Sequence, residues 1–274
     1  AFIGGAGIHP ISAFIAYEVI ATHCVGIANL LGVNGLAIGA VLATFDPHAL
    51  SIIAKEICDN EKQGIPTFLS TCVTEPGAGS DAEDSDKFQE AQLITTAEKV
   101  SGGYLVNGTK IFISNGSLAS IHVVIAFKKE GSHLPEDQLI LLVRDGAKGL
   151  SVPRIEKKMG QKVCSAAEVH FDNVFVPDDM VCRSSGKSKD YFSYTGMANV
   201  LGMTRAGVGG FATGVAEGAY RSALRFTREN DFLGHPMEQQ QWVRVELAHL
   251  ARRAQVARST YIGALLSVFD SGLM

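Results

Sequence analysis

The spacing of apolar positions changes twice along the chain. Over residues 1–67 apolar side chains are dense and β-type signals few, and the stretches 11–20, 25–31, 37–44 and 48–61 predict helices. Asp46-Pro47 supplies a turn with a proline at a helix start, and Gly64-Ile65-Pro66 closes the zone. Short runs rich in Val, Ile, Thr and Phe then predict strands at 68–74, 93–100, 104–106, 110–114, 122–127, 138–143, 149–153 and 168–171. Gly102-Gly103 predicts one turn between them, and Asn107-Gly108 a hairpin turn. Helical spacing returns over 206–228 and 237–269, on either side of the loop 231–236.

The expected fold class is therefore α+β and multidomain. A helical domain covers 1–67, an antiparallel β-barrel or sandwich domain 68–182, and a helical bundle 183–274. The chain does not begin with methionine, so it reads as a fragment whose two helical domains are incomplete.

Composition narrows the function classes. Among the 274 residues, 46% are hydrophobic and 19% charged, a globular balance and not that of a disordered chain. The 24 Lys and Arg against 28 Asp and Glu give a net charge of -4, which leaves no basic excess for a phosphate backbone. The five cysteines, Cys24, Cys58, Cys72, Cys164 and Cys182, are odd in number and widely spaced, which points to reduced thiols in a cytosol-like compartment. The histidines are scattered, so no metal site is expected. Residues 21–45 carry no Asp, Glu, Lys or Arg. His23, Asn29, Asn34 and four glycines interrupt them, and no Lys or Arg flanks them, so buried helices are expected there in place of a membrane span. No charged segment precedes an apolar one at the start, so no signal peptide is indicated.

Three motifs carry candidate chemistry. Thr74-Glu75-Pro76-Gly77-Ala78-Gly79-Ser80-Asp81 follows a strand with a Pro-Gly turn and a Gly-Ala-Gly loop. Such a loop lets backbone approach a flat or anionic ligand, or is an ordinary loop with an aspartate at a helix cap. Lys110-Ile111-Phe112-Ile113-Ser114-Asn115-Gly116 ends a strand, and period-two alternation would put Lys110, Phe112 and Ser114 on one face. An aromatic plane beside a hydroxyl suits a ring-shaped heterocycle, and equally a plain sheet face. Lys158-Met159-Gly160-Gln161-Lys162-Val163-Cys164-Ser165 alone is a basic loop.

In this order between two helical zones, these motifs resemble those of the acyl-CoA dehydrogenase family over nearly the whole chain, most clearly from His48 onward. The resemblance implies FAD between the β-domain and the C-terminal helices, with the acyl chain of an acyl-CoA against the flavin. It implies a carboxylate that takes the α-proton of the thioester while the β-hydride passes to flavin N5, in fatty acid metabolism. By the same resemblance Cys72, Val73 and Thr74 line the flavin pyrimidine, through backbone groups and the Thr74 hydroxyl. Gly79 and Ser80 contact FAD, Ser80 also reaching the CoA arm. Phe112 stacks on the isoalloxazine, and Ser114 lies near N5. Ser165 contacts the CoA moiety, Arg205 helps hold the pantetheine, and Gln241 contacts FAD across a subunit interface. Implied partners are an electron-transfer flavoprotein and further subunits of a tetramer, homomeric or heteromeric. The implied location is the cytoplasm, or the mitochondrial matrix in a eukaryote.

Two positions depart from the family pattern. Asn230 stands where an arginine binds the FAD pyrophosphate, with Leu233 in the following Phe position, and Gly202 replaces the aspartate of an Asp-x-x-Arg that ends at Arg205. Arg228 is offset from the missing arginine by two residues, which points it elsewhere. No catalytic base is assigned: Thr204 is no carboxylate, and Glu217, Glu229 and Glu246 read as helix-surface charges. The departures leave open a non-catalytic or half-active subunit of a hetero-oligomer. Gly207-Val208-Gly209-Gly210-Phe211-Ala212 fits a dinucleotide fingerprint, but no strand precedes it, and close helix packing explains its glycines better.

Overall fold

The computed structural model describes residues 9–83, 91–131, 137–183 and 194–270. The chain ends assigned to the outer domains, 1–8 and 271–274, lie outside the described residues. Two compact units form, one from 1–6 and 30–201, the other from 7–29 and 202–274.

Three helices come first: α1 (Pro10–Ala21), α2 (Val25–Leu42) and α3 (Pro47–Lys62). Asp46 caps α3, its carboxylate accepting from the N–H groups of His48 (2.9 Å) and Ala49 (3.2 Å), with Pro47 at the start as its sequence predicts. The two helices expected over 25–44 are one. Gly32 and Gly35 do not break α2, because Asn34 between them ties the helix to the sheet, donating to Thr67 O (2.9 Å) and accepting from Leu69 N (2.8 Å). Ala37, Ala40 and Val41 then enter the main core. Among the described residues, α2 is the one helix long and apolar enough to cross a membrane.

Seven strands build one mixed sheet: β1 (Leu69–Cys72), β2 (Thr96–Val100), β3 (Gly103–Ser114), β4 (Ile121–Lys128), β5 (Gln138–Arg144), β6 (Leu150–Ile155) and β7 (Ala166–Pro177). Its order is β1-β4-β2-β3-β7-β6, with β5 on the other edge of β4. The antiparallel expectation holds for β2–β3, β3–β7, β4–β5 and β6–β7, whereas β1 and β2 both run parallel to β4. They share one edge of that strand end to end, β1 opposite 121–124 and β2 opposite 127–128. The chain between them, which carries the Gly-Ala-Gly loop, therefore leaves and rejoins the sheet along a single strand.

The hairpin expected at Asn107-Gly108 does not form. β3 runs straight through it, and the β2–β3 turn lies at Ser101-Gly102, next to the Gly102-Gly103 turn expected there. Gly108 (φ 148°) pairs with Phe171 next to a bulge in β7, where Asp172 and Asn173 oppose Asn107, and its missing Cβ makes room for Thr95, since a Cβ there would stand 2.5 Å from Thr95 Oγ1.

The second unit pairs α1 with the long helices α4 (Tyr194–Glu229) and α5 (Gln241–Asp270). Gly214 and Gly218 of α4 lie against the backbone of α1 and the residue after it, where any Cβ would overlap the carbonyls of Glu18 and Thr22. The fingerprint-like glycines 207–210 sit inside α4, packed against Phe14 and Tyr261, so they serve helix contact. Glu18 is buried and bound by Arg258 Nε (2.7 Å) and the Tyr261 hydroxyl (2.5 Å). Glu217 is no surface charge: it is buried beside Arg221 (2.8 Å) and Arg258 (3.8 Å). Glu229 and Glu246 are exposed as expected.

Candidate flavin-binding site

The site grows from the end of β1. Cys72 is fully buried, and that burial pushes its thiol up to about 11, partly offset by Ser70 and Lys110. Val73 and Thr74 follow, half-buried. Glu75 and Ala78 close a tight turn through paired backbone bonds, Glu75 N to Ala78 O (2.9 Å) and Ala78 N to Glu75 O (3.2 Å). Gly77 in that turn presses on Gln92, whose Cβ would lie 2.8 Å from an added methyl.

Gly79 differs. Its φ is ordinary, and an added Cβ would meet nothing within 4 Å. No clash in the fold requires glycine there, and its backbone is open to close approach. Its N–H donates to Asp81 (2.6 Å), and Ser80 is exposed at the start of a short 3-10 turn.

β3 crosses beside this loop. Ile111 N–H donates to Thr74 O (2.9 Å). Lys110 pairs with Val169 and Ile113 with Ala167, so Ile111 and Phe112 together oppose Glu168 in a second bulge. The alternation expected here fails for that reason. Lys110 and Ile113 are both buried, and Phe112 turns outward, 60% exposed with φ 58°. A phenylalanine held in the left-handed region is strained, and an outward-facing aromatic in that state marks a place where the surroundings dictate its direction.

Lys110 is the least expected feature. Its ammonium is buried and donates to Val73 O (2.9 Å) and Glu75 Oε1 (2.7 Å). Glu75, equally buried, accepts from Ile94 N (2.6 Å) and Thr95 N (3.1 Å) with its other oxygen. Burial lowers the Lys110 pKa, and the charge and hydrogen bond of Glu75 oppose that shift. Sequence reading passed over this pair, although a glutamate inside a Pro-Gly turn and a lysine inside an apolar strand were both visible.

The end of β3 joins the third motif. Asn115 (φ 59°) is buried, its amide donating to Leu30 O (2.9 Å) and Leu69 O (3.3 Å). Its backbone N–H donates to Ser165 O (2.9 Å), and the hydroxyls of Ser117 and Ser165 lie 2.8 Å apart. Cys164 is buried and donates to Asn115 Oδ1 (3.6 Å), and that burial is the main cause of its raised thiol pKa. Met159 is fully exposed at the tip of the basic loop. Backbone bonds thus join the three motifs, Ile111 to Thr74 and Asn115 to Ser165, with Cys72 and Val73 leading into the first, Gly79 and Ser80 in its loop, and Phe112 and Ser114 on β3 between the two bonds.

Arg205 and Gln241 belong to the second unit, Arg205 exposed on α4 and Gln241 exposed as the first residue of α5. Asn230 closes α4 by donating to Phe226 O (2.8 Å), and Arg228 pairs with Glu238 (3.2 Å). Leu233 and Gly234 (φ 55° and 77°) form the two-residue turn of a small hairpin, β8 (Asp231–Phe232) and β9 (His235–Pro236).

The acyl-CoA dehydrogenase middle-domain model matches residues 70–174, and the C-terminal-domain model of the same family matches 194–269. An acyl-CoA dehydrogenase of Bacillus subtilis (strain 168) is 30% identical over 263 residues, 93% of this chain and 62% of that protein. A cyclohexane-1-carbonyl-CoA dehydrogenase of Geobacter metallireducens is 29% identical over 262 residues, 94% of this chain and 62% of that protein. The solved butyryl-CoA dehydrogenase of Megasphaera elsdenii superposes with a TM-score of 0.77 at 25% identity, covering 96% of this chain and 65% of that one. The chain spans about three-fifths of the length of the curated relatives it matches. The matched family models cover the sheet, the three joined motifs and both long helices of the second unit, and on that ground the chain belongs to the acyl-CoA dehydrogenase family.

Proposed function

We propose that the chain binds FAD and belongs to an enzyme that dehydrogenates an acyl-CoA thioester between its α and β carbons. The observation that carries this reading is the β3 bulge, which turns the strained Phe112 outward beside a loop whose Gly79 faces open space. When bound, FAD supplies a hydride acceptor at N5. The backbone of Val73 and Thr74, continuing from the buried Cys72, offers hydrogen-bonding groups to the polar edge of the flavin, and the Thr74 hydroxyl adds one more. Phe112 covers one side of the ring and excludes water from it. Ser114 offers a hydroxyl close by. Gly79 and Ser80 give backbone and hydroxyl contacts to the rest of the cofactor, with Ser80 and Ser165 toward the CoA arm. Arg205 is assigned to pantetheine and Gln241 to FAD on the family resemblance alone. The work of these groups is orientation and charge stabilisation at the thioester carbonyl.

Removal of the α-proton requires a carboxylate, and we assign none: Glu217 is held by two arginines, and Glu229 and Glu246 are exposed helix residues. The electron acceptor in this reading is an electron-transfer flavoprotein, and the working assembly is a tetramer in the cytoplasm. Chain purified in the presence of FAD should be yellow, with the absorption bands of bound flavin. A colourless protein that fails to take up added FAD overturns the proposal.

One observation favours a second reading, a half-active subunit of a hetero-oligomer. By the family resemblance Asn230 stands where an arginine would bind the pyrophosphate, and its amide is spent on the end of α4. Isolation of the native complex separates the two, since one polypeptide type that is yellow and active on acyl-CoA excludes the second.

A further inference from the structure

We infer that Lys110, clamped by Glu75, is a positioning residue for the flavin: it holds the Val73 carbonyl inward and so turns the Thr74 N–H toward the pyrimidine edge. This rests on the flavin-binding reading and adds to it a part for two residues that touch no ligand in that reading.

The argument begins with what a lysine at this place does that an apolar residue cannot. Lys110 sits in the most buried part of β3, where a methionine would fill the same space without taking a charge out of water. An ion pair alone would satisfy that charge, yet Lys110 divides its donors between Glu75 Oε1 (2.7 Å) and the backbone carbonyl of Val73 (2.9 Å). Glu75 in turn is fixed by the N–H groups of Ile94 and Thr95 at the approach to β2. The ammonium therefore has a rigid support on one side and a single peptide bond on the other.

That peptide joins Val73 to Thr74. In a trans peptide the C=O and the N–H point in opposite directions. A carbonyl drawn toward Lys110 sends the Thr74 N–H away from it. The next carbonyl, that of Thr74, is held by Ile111 N–H (2.9 Å), on the bulge that carries Phe112. Both peptide planes that flank Thr74 are thus set by β3, one through a side chain and one through backbone. The donor offered to the ring edge and the aromatic offered to its face are registered against each other by one strand.

The test uses the chain loaded with FAD and two variants of the pair. Lys110→Met combined with Glu75→Gln removes both charges and leaves an amide oxygen for Ile94 and Thr95. We expect circular dichroism and thermal unfolding close to those of the parent chain, an FAD dissociation constant raised at least about tenfold, and an altered visible flavin spectrum. Affinity for ADP, which lacks the flavin, should change by less than about threefold. A folded double variant with unchanged FAD affinity and spectrum overturns the inference while the flavin-binding reading stands. A parent chain that binds no FAD overturns both. The parent chain also gives a measurement independent of variant folding. With 15N-threonine labelling and Thr74→Ser for assignment, the Thr74 amide resonance should move when FAD is added and stay in place with ADP. A Thr74 amide indifferent to FAD overturns the inference.

Discussion

Replacing Phe112 by glycine separates a residue kept for packing from one kept for a ligand. Phe112 lies at φ 58°, where an L-residue costs about 1–2 kcal/mol and glycine nearly nothing. Against that gain stands the loss of buried ring. The side chain is 60% exposed, so about two-fifths of its burial is lost, or about 1 kcal/mol on a scale of about 1.5–3 kcal/mol for a whole side chain. Glycine also loosens the unfolded chain, at about 0.5–1 kcal/mol. These contributions nearly cancel, and stability should stay within about 1 kcal/mol of the parent chain. FAD binding should not be spared. Loss of an aromatic platform under a heterocycle costs about 1–3 kcal/mol, a weakening of roughly fivefold to more than a hundredfold. Urea unfolding followed by circular dichroism gives the first quantity, and titration of flavin fluorescence gives the second. A variant destabilised by more than about 2 kcal/mol with undiminished FAD affinity would show that the aromatic serves packing, and the reasoning would fail.

Other expectations follow from the same geometry. Gly79→Ala meets no atom of the chain, so its melting temperature should hold or rise slightly, by the equivalent of about 0.4–1 kcal/mol, while FAD binds more weakly; equal FAD affinity would show the open space to be unused. His122 is held down to about 4 by burial, with Asp145 opposing, against 6.5 when unperturbed. The unfolded chain therefore takes up the proton first as pH falls, and stability contributed by the neutral ring is lost between about 6.5 and 4, by about 2 kcal/mol at pH 5. His122→Gln should flatten that part of the pH profile in urea unfolding, and an unchanged profile would refute the assignment. Tyr261→Phe removes the hydroxyl bonded to the buried Glu18 (2.5 Å) and should cost about 1–3 kcal/mol in the same assay, where a neutral effect would show the bond to be dispensable.

The class of fold was legible because its signals are local. Asp46-Pro47 started α3 where it should, and the runs of Val, Ile and Leu in β4 and β5 read as strands, which the structure buries on both faces. The two errors in the middle unit share a cause. Asn107-Gly108 has the composition of a hairpin turn, and Lys110 to Ser114 the alternation of a flat strand, but pairing with β7 drew the first into β3 opposite a bulge of β7 and put a bulge of β3 into the second. Bulges depend on partners distant in sequence, so no window along one strand reveals them. The break expected in α2 failed for a similar reason, because Asn34 found acceptor and donor at Thr67 and Leu69. In the candidate site the glycine loop, Phe112, Ser114 and Ser165 were named from motifs that the structure joins. Glu75 and Lys110 stood in the same motifs, but their pairing was not legible, because a buried ion pair is visible only once two distant segments meet.

The glycines that α4 sets against α1 bind steric fit to charge balance. Glu18 stands on α1 at the place where Gly214 comes closest, and the same carboxylate receives Arg258 and Tyr261 from α5. A single methyl group added at 214 would have to lift α1, and with it a carboxylate that Arg258 shares with Tyr261. A lesion that begins as lost clearance would then be felt as an electrostatic fault three helices wide.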